Sequence, residues 1–230
     1  MTLKAERRGG VLTLLLDRPH KAHAYDRTLL QALDKTLSHH NSKVIVIGST
    51  GTGAFCAGAD LDEMKTASPE DARSLYSQAV FDRLAKLNVV SIAAIQGPAV
   101  AGGFELALAC DIRLASPKAR FSLPEVRLGL IPSAGGCTRL PDLVGQSRAK
   151  QIILGGHELQ AEEALSWGLL SRIVEDPLLA AQKWAEQIAE FDPQALGLAK
   201  TVLRGESDDR LELERLAQTV LYAKKGPGRD

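Results

Sequence analysis

At 230 residues the chain has the length of one large domain with an appendage, and such a length buries roughly 70–75% of its extended-chain surface without disulfide or metal staples. Lysine plus arginine total 28 and aspartate plus glutamate total 28, so no broad positive field draws the chain to nucleic acid or an anionic membrane, and neither is expected as a partner. Hydrophobic residues at 45% and charged residues at 24% exclude a disordered chain or a coiled coil, and aromatics at 4% demand an aliphatic core.

Lys4, Arg7 and Arg8 precede the apolar run Val11–Leu16 as they would in a signal peptide. The run is too short, Asp17-Arg18 stops it and no small-residue cleavage site follows, so it reads as a strand. No stretch approaches the ~20 apolar residues of a membrane span. Asp26 caps a helix whose Leu29, Leu30, Leu33 and Leu37 share one face. Residues 44–47 form a buried strand that runs into the glycine-rich 48–53. A dinucleotide fingerprint needs a helix opening on its last glycine and a P-loop needs Gly-Lys-Ser/Thr; both are missing, and the segment reads as a plain turn. A capping-box pattern at 68–71 opens a helix towards Lys86. Then come a strand over 89–95, a short helix over 104–110 behind Gly102-Gly103, and strands over 112–115 and 120–122. Beyond Gly145 the pattern is mostly helical, over 147–154, 161–167, 178–189, 193–203 and 211–221. Asp192-Pro193 marks a boundary, because the residue before proline is disfavoured in a helix. The chain therefore divides into a core, 1–190, and a helical C-terminal region, 191–230, whose residues 224–230 read as a frayed tail.

Cys56, Cys110 and Cys137 are an odd set without a C-x-x-C pair, which points to a reducing compartment, and a cytoplasmic location is expected. The histidines make no metal site: His39-His40 are adjacent, and His20, His23 and His157 are isolated. A serine-hydrolase elbow is also missing. Three segments carry the chemistry. They are Phe55-Cys-Ala-Gly-Ala-Asp60-Leu61, Ala99-Val-Ala-Gly-Gly-Phe-Glu105-Leu-Ala-Leu-Ala-Cys-Asp111, and Leu123-Pro-Glu125-Val-Arg-Leu-Gly129-Leu-Ile-Pro132-Ser-Ala-Gly-Gly136. A glycine pair at a helix start lets backbone N–H groups approach a ligand closely, as an oxyanion hole requires. Glu105 and Glu125 lie on separate elements and can meet across a pocket. Singly, Glu105 complements a helix dipole, Glu125 starts a helix and the small residues near Ala59 pack tightly; together they make a site.

The order F-C-A-G-A-D-L, A-x-x-G-G-x-E-L-A-L-A-C-D and P-E-V-x-L-G-x-x-P resembles the crotonase superfamily, the enoyl-CoA hydratases and isomerases. The opening V-x-T-L-x-L-D-R-P-x-K-A and the later A-x-E-A-L-x-W-G-L-L-S-R-I-V match it too, so the resemblance spans about residues 8–205. It implies an α/β fold, a spiral of β-β-α turns with a helical C-terminal region, and homotrimers or dimers of trimers. It implies that the amides of Ala59 and Gly102 form an oxyanion hole for a thioester carbonyl and that Glu105 and Glu125 are the catalytic pair. Ala57, Gly58, Ala59, Asp60 and Leu61 then hold coenzyme A, with Lys21 or Arg18 near its phosphates. The implied activity is addition of water across the double bond of a 2-enoyl-CoA thioester. No metal or redox cofactor is implied, coenzyme A entering only as part of the substrate. A Δ3,Δ2-enoyl-CoA isomerase and a non-catalytic acyl-CoA-binding protein are the alternatives, and the retained glutamate pair argues against the second. Departures from the family pattern are His23 and Tyr25 beside the expected acyl pocket, Ala101 before the glycine pair, and Cys137-Thr138. The chain also stops soon after Tyr222, where relatives add another helix; a more open acyl-CoA entrance is the expectation.

Overall fold

The structure, a computed structural model, describes residues 2–65, 75–205 and 209–225. Its first strands, β1 (Leu3–Arg8) and β2 (Val11–Leu16), form an antiparallel hairpin with Leu3 opposite Leu16 and Arg8 opposite Val11. Parallel to β2 run β3 (Val44–Ser49), β4 (Val90–Ile95) and, beyond a two-residue β5 (Ala99–Val100), β6 (Ile112–Ala115). After β7 (Arg120–Ser122) and β8 (Leu159–Gln160), β9 (Arg172–Ile173) closes the larger sheet, whose order is β1-β2-β3-β4-β6-β9. The smaller sheet has the order β5-β7-β8, with β5 and β7 parallel.

The large sheet is covered on both faces, which is why β2 and β3 are apolar at nearly every position instead of alternating. Val11, Val44, Val46, Ile92, Ala94 and Leu114 point to one side, where Ala181, Ala185, Ile188 and Ala189 of α8 (Pro177–Ala189) meet them. Leu12, Leu14, Leu16, Ile45 and Ile47 point to the other. There they pack with the leucines of α1 (Arg27–Ser38) and with Val80, Phe81 and Leu84 of α3 (Tyr76–Lys86). Asp26 caps α1 as its position predicts, its carboxylate accepting from the Leu29 amide at 2.8 Å.

Other helices are α2 (Leu61–Met64), α4 (Gly102–Leu108), α5 (Gly136–Val144), α6 (Gln146–Ile153), α7 (Ala161–Ser166), α9 (Pro193–Arg204) and α10 (Arg210–Lys225). The helices expected over 147–154, 161–167, 178–189, 193–203 and 211–221 are therefore present, with α10 running further than its apolar pattern. The capping-box residues 68–71 lie outside the described residues. The short α2, β5, β8 and β9 escape the sequence pattern, as do two longer elements. β1 is an edge strand whose exposed face carries Lys4, Glu6, Arg7 and Arg8, charges that protect an edge and hide its period. α5 contains Pro141 and starts at Gly136, residues that read as breakers.

α9 is tied to the core through charge. The Lys200 ammonium donates to Asp111 Oδ2 at 2.7 Å and to the Val89 carbonyl at 2.9 Å, and the same carboxylate oxygen accepts from the Ser91 amide and hydroxyl. With these partners the buried ammonium is satisfied, whereas removing one member leaves an uncompensated charge. On α10, Leu213, Ala217 and Leu221 are half-buried, while Leu216 and Val220 of the same stripe remain exposed.

Candidate active site

Between the two sheets' loops lies a cavity of about 610 Å3. Its rim carries Lys21, Asp62 and Lys65 together with the exposed Leu128, Leu130 and Ile131. Its floor is made by Tyr25, Gly102, Glu105 and Ala134, all buried, with Ser77 and Glu125 half-buried beside them. Most residues singled out in the sequence meet here: Lys21, Ala57, Ala59, Asp60, Leu61, Gly102, Glu105 and Glu125 all line it.

Gly58 and Arg18 do not line it. Gly58, at φ +93°, turns the loop so that it touches the next segment; a methyl group there would sit 3.0 Å from Ala101 Cβ and 3.1 Å from the Gly102 nitrogen. Arg18 points inward, donating to Asp60 Oδ2 at 2.8 Å and to the Ala24 carbonyl at 2.6 Å, with Asp26 at 3.2 Å. Its charge is spent on Asp60, so of the two basic residues considered for phosphate contact only Lys21 faces the cavity. Lys21 pairs with Asp62 at 2.6 Å on the exposed rim. Asp60 also caps α2, Oδ1 accepting from the Asp62 amide, while its own amide donates to the Tyr25 carbonyl. The Asp62 amide first, and Arg18 after it, hold its carboxyl below the usual carboxylate range.

Among the described residues, the backbone amides of Ala59 and Gly102 at the cavity wall have no acceptor. Ala59 bridges to Tyr25 through its neighbours: the Tyr25 amide donates to Gly58 and the Asp60 amide to Tyr25, which leaves the Ala59 N–H free. Gly102 is the first residue of α4, where an amide has no partner within the helix. It follows Ala101, which stands at φ +52°, a conformation costly for a residue with a side chain. Three hydrogen bonds hold Ala101: its amide donates to Ser122, and its carbonyl accepts from Phe104 and Glu105. The glycine pair is required by close approach. A methyl group on Gly102 would overlap the Tyr25 hydroxyl, and one on Gly103 would overlap the Cys56 carbonyl.

Glu105 is 3% exposed, on a helix buried along its whole length. Its Oε1 accepts from the Ala134 amide at 2.7 Å and the Gly136 amide at 2.8 Å, so the loop entering α5 fixes the carboxyl's direction. Burial raises its pKa, and these two amides oppose the rise by stabilising the anion. Glu125 starts a 3-10 turn, Glu125–Leu128, after Pro124. Its Oε2 is buried without any hydrogen-bond partner. Burial first, and the facing Glu105 charge after it, push its pKa up to about 7. Two carboxyls thus share one cavity in unlike surroundings, Glu105 with two amide donors that favour its anion and Glu125 with an oxygen that has no donor.

Of the two residues expected beside the acyl pocket, Tyr25 lines the cavity and His23 does not, while sequence reasoning missed Ser77 as a wall residue and the Ala134 and Gly136 amides as the holders of Glu105. Only Gly135-Gly136, small residues between two motifs, gave a signal for the latter.

A parallel sheet with helices on both faces, and a half-open cavity holding a carboxyl pair, define an acid–base site built on an α/β scaffold. Residues 6–226 match the family model described as enoyl-CoA hydratase/isomerase. A short-chain-enoyl-CoA hydratase of Clostridium acetobutylicum is 38% identical over 206 residues, 86% of this chain and 79% of that protein. A methylglutaconyl-CoA hydratase of Homo sapiens is 35% identical, covering 98% of this chain and 70% of its own. The crystal structure of an enoyl-CoA hydratase from Bacillus anthracis superimposes with a TM-score of 0.90 at 34% identity, over 95% of this chain and 90% of that one. A Thermobifida fusca protein described as an enoyl-CoA hydratase, solved with CoA and with acetoacetyl-CoA, gives 0.88 at 29% identity; the CoA complex covers 97% of this chain and 93% of that one. The chain belongs to the enoyl-CoA hydratase/isomerase family and has its crotonase fold. The hydratase names that its relatives share mark it as an enzyme, a hydro-lyase. No helix among the described residues is long and apolar enough to cross a membrane.

Proposed function

We propose that the protein hydrates a 2-enoyl-CoA thioester, with Ala59 and Gly102 as oxyanion donors and Glu105 and Glu125 as the acid–base pair. The observation that carries this reading is Glu125, its Oε2 buried and unpartnered, lining the same cavity as a pinned Glu105 and two unused amides. Two N–H donors on the thioester oxygen draw electron density from Cβ and stabilise the enolate formed when a nucleophile adds there. A water held between the carboxyls loses a proton to the Glu105 carboxylate as its oxygen bonds to Cβ. Protonated Glu125 then delivers a proton to Cα, the C=C electron pair becomes the new C–H bond, and proton exchange resets both carboxyls. The adenine and pantetheine portions of the substrate lie along Ala57, Ala59, Asp60 and Leu61, with Lys21 towards the phosphates. No cofactor is needed beyond the coenzyme A of the substrate itself.

Incubation with crotonyl-CoA tests the reading: the conjugated-enoyl absorbance falls and the product gains the mass of one water. Migration of a Δ3 double bond without hydration would instead identify an isomerase, which uses one glutamate as a shuttle. Thioester binding with no turnover would identify a binding protein. The free carboxyl pair favours hydration, since binding alone has no use for an acid.

The pH profile follows from the raised Glu125 value. Glu125 must be protonated to give its proton, so kcat/KM is expected to fall as pH rises through about 7, with a unit slope on the alkaline side. A profile flat to pH 9 would contradict the acid role.

We also propose a homo-oligomer, a trimer or a dimer of trimers. Leu216 and Val220 on α10 and Leu128, Leu130 and Ile131 on the rim are exposed apolar side chains of the kind that drive association. Light scattering at micromolar concentration should give the mass of three or six chains; a stable monomer would defeat this.

A further inference from the structure

The floor of the cavity holds a side chain for which the acid–base reading has no role. Tyr25 is 7% exposed, its ring standing edge-on to the fully buried Phe81 with centroids 5.6 Å apart. Its hydroxyl packs on Cα of Gly102, where no side chain fits, and Ser77 lines the same cavity. Glu105 and Glu125 line that cavity too and both act on the hydroxyl electrostatically, so the buried phenol stands beside the carboxyls, inward of the rim of Lys21, Asp62 and Lys65. A thioester that enters with its charged handle at that rim and its double bond at the carboxyls therefore drives the rest of its acyl chain towards this floor. Tyr25 cannot swing away: Phe81 backs it, and the Gly102 backbone closes the other side.

Resting on the hydratase reading, we propose that Tyr25 is a specificity-determining residue whose phenol ends the acyl channel and restricts the enzyme to short-chain 2-enoyl thioesters. Excluding one methylene from an apolar pocket is commonly worth a factor of about 10 or more in kcat/KM, so a few methylenes separate short from medium chains strongly.

The test compares crotonyl-CoA with 2-octenoyl-CoA for the wild type, Tyr25→Leu, Tyr25→Ala and Tyr25→Phe. Leucine and alanine should raise the octenoyl-to-crotonyl ratio of kcat/KM by about tenfold or more, while phenylalanine, which keeps the ring, should hold the ratio near that of the wild type. Calorimetric binding of butyryl-CoA and octanoyl-CoA runs beside it and needs no chemistry. Wild type should prefer butyryl-CoA, and Tyr25→Leu should lose that preference. Should Tyr25→Ala not fold, the leucine variant carries the comparison. An unchanged ratio in folded Tyr25→Leu, or a wild type that handles octenoyl as well as crotonyl chains, overturns the proposal. Chain-length discrimination in binding without hydration of either enoyl thioester would instead overturn the hydratase reading and keep Tyr25 as the channel's end.

Discussion

Replacing Glu125 by glutamine is expected to lower kcat by about 10²–10⁴-fold while leaving the affinity for saturated acyl-CoA nearly unchanged, because the residue supplies a proton and not a contact. Glutamine matches the carboxyl in shape and offers no acidic proton. The variant should fold normally and gain stability above neutral pH. In the native protein the Glu125 pKa is raised to about 7, so between its unfolded value and about 7 the folded state binds more protons than the unfolded one. Stability therefore falls as pH rises through that window, and an uncharged amide escapes the penalty. Thermal melts at pH 5 and pH 8 measure this directly. Weak binding with a normal rate for the residual complex would show that Glu125 holds the substrate instead of protonating it.

An ester in place of the Gly102 amide, introduced by replacing the residue with its hydroxy-acid counterpart, should lower kcat by ~10²-fold or more. This change deletes one donor and leaves Cα bare, so the contact with Tyr25 survives. Side-chain substitution is a poorer probe, since a methyl group there would overlap the phenol. Near-normal turnover of a correctly folded ester variant would remove Gly102 from the mechanism.

Period and capping made much of this fold legible. Asp26 with four leucines announced α1, and the apolar runs of β2 and β3 announced two strands, the second of them buried. β1 was invisible because its role as an edge demands charge, and α5 because Gly136 and Pro141 contradict it locally while packing at Leu140 and Val144 sustains it. At the site, Glu105, Glu125, Ala59 and Gly102 were recoverable from motif resemblance. Their unlike environments were not, since the partners of Glu105 come from residues 134 and 136 and the isolation of Glu125 Oε2 depends on tertiary enclosure. Arg18 shows the reverse error: a cation near the motif, drawn inward by an aspartate of that motif.

The small sheet has a consequence for how such a site tolerates change. β5 and β7 are paired in parallel, Ala99 with Phe121 and Val100 with Ser122, and each ends just before a reactive element, Gly102 after one and Glu125 after the other. Amide and carboxyl are thus launched from the same end of adjacent strands, whose separation is set by the ~4.8 Å ladder spacing and not by the chain between them. The length of chain between them does not set this separation, yet α4 within it carries the glycine pair and Glu105, and β6 is paired on both sides in the large sheet. A slip of one residue would turn every side chain on one strand to the opposite face. The site's geometry is accordingly held twice over, by four paired residues of the small sheet and by the buried helix between them.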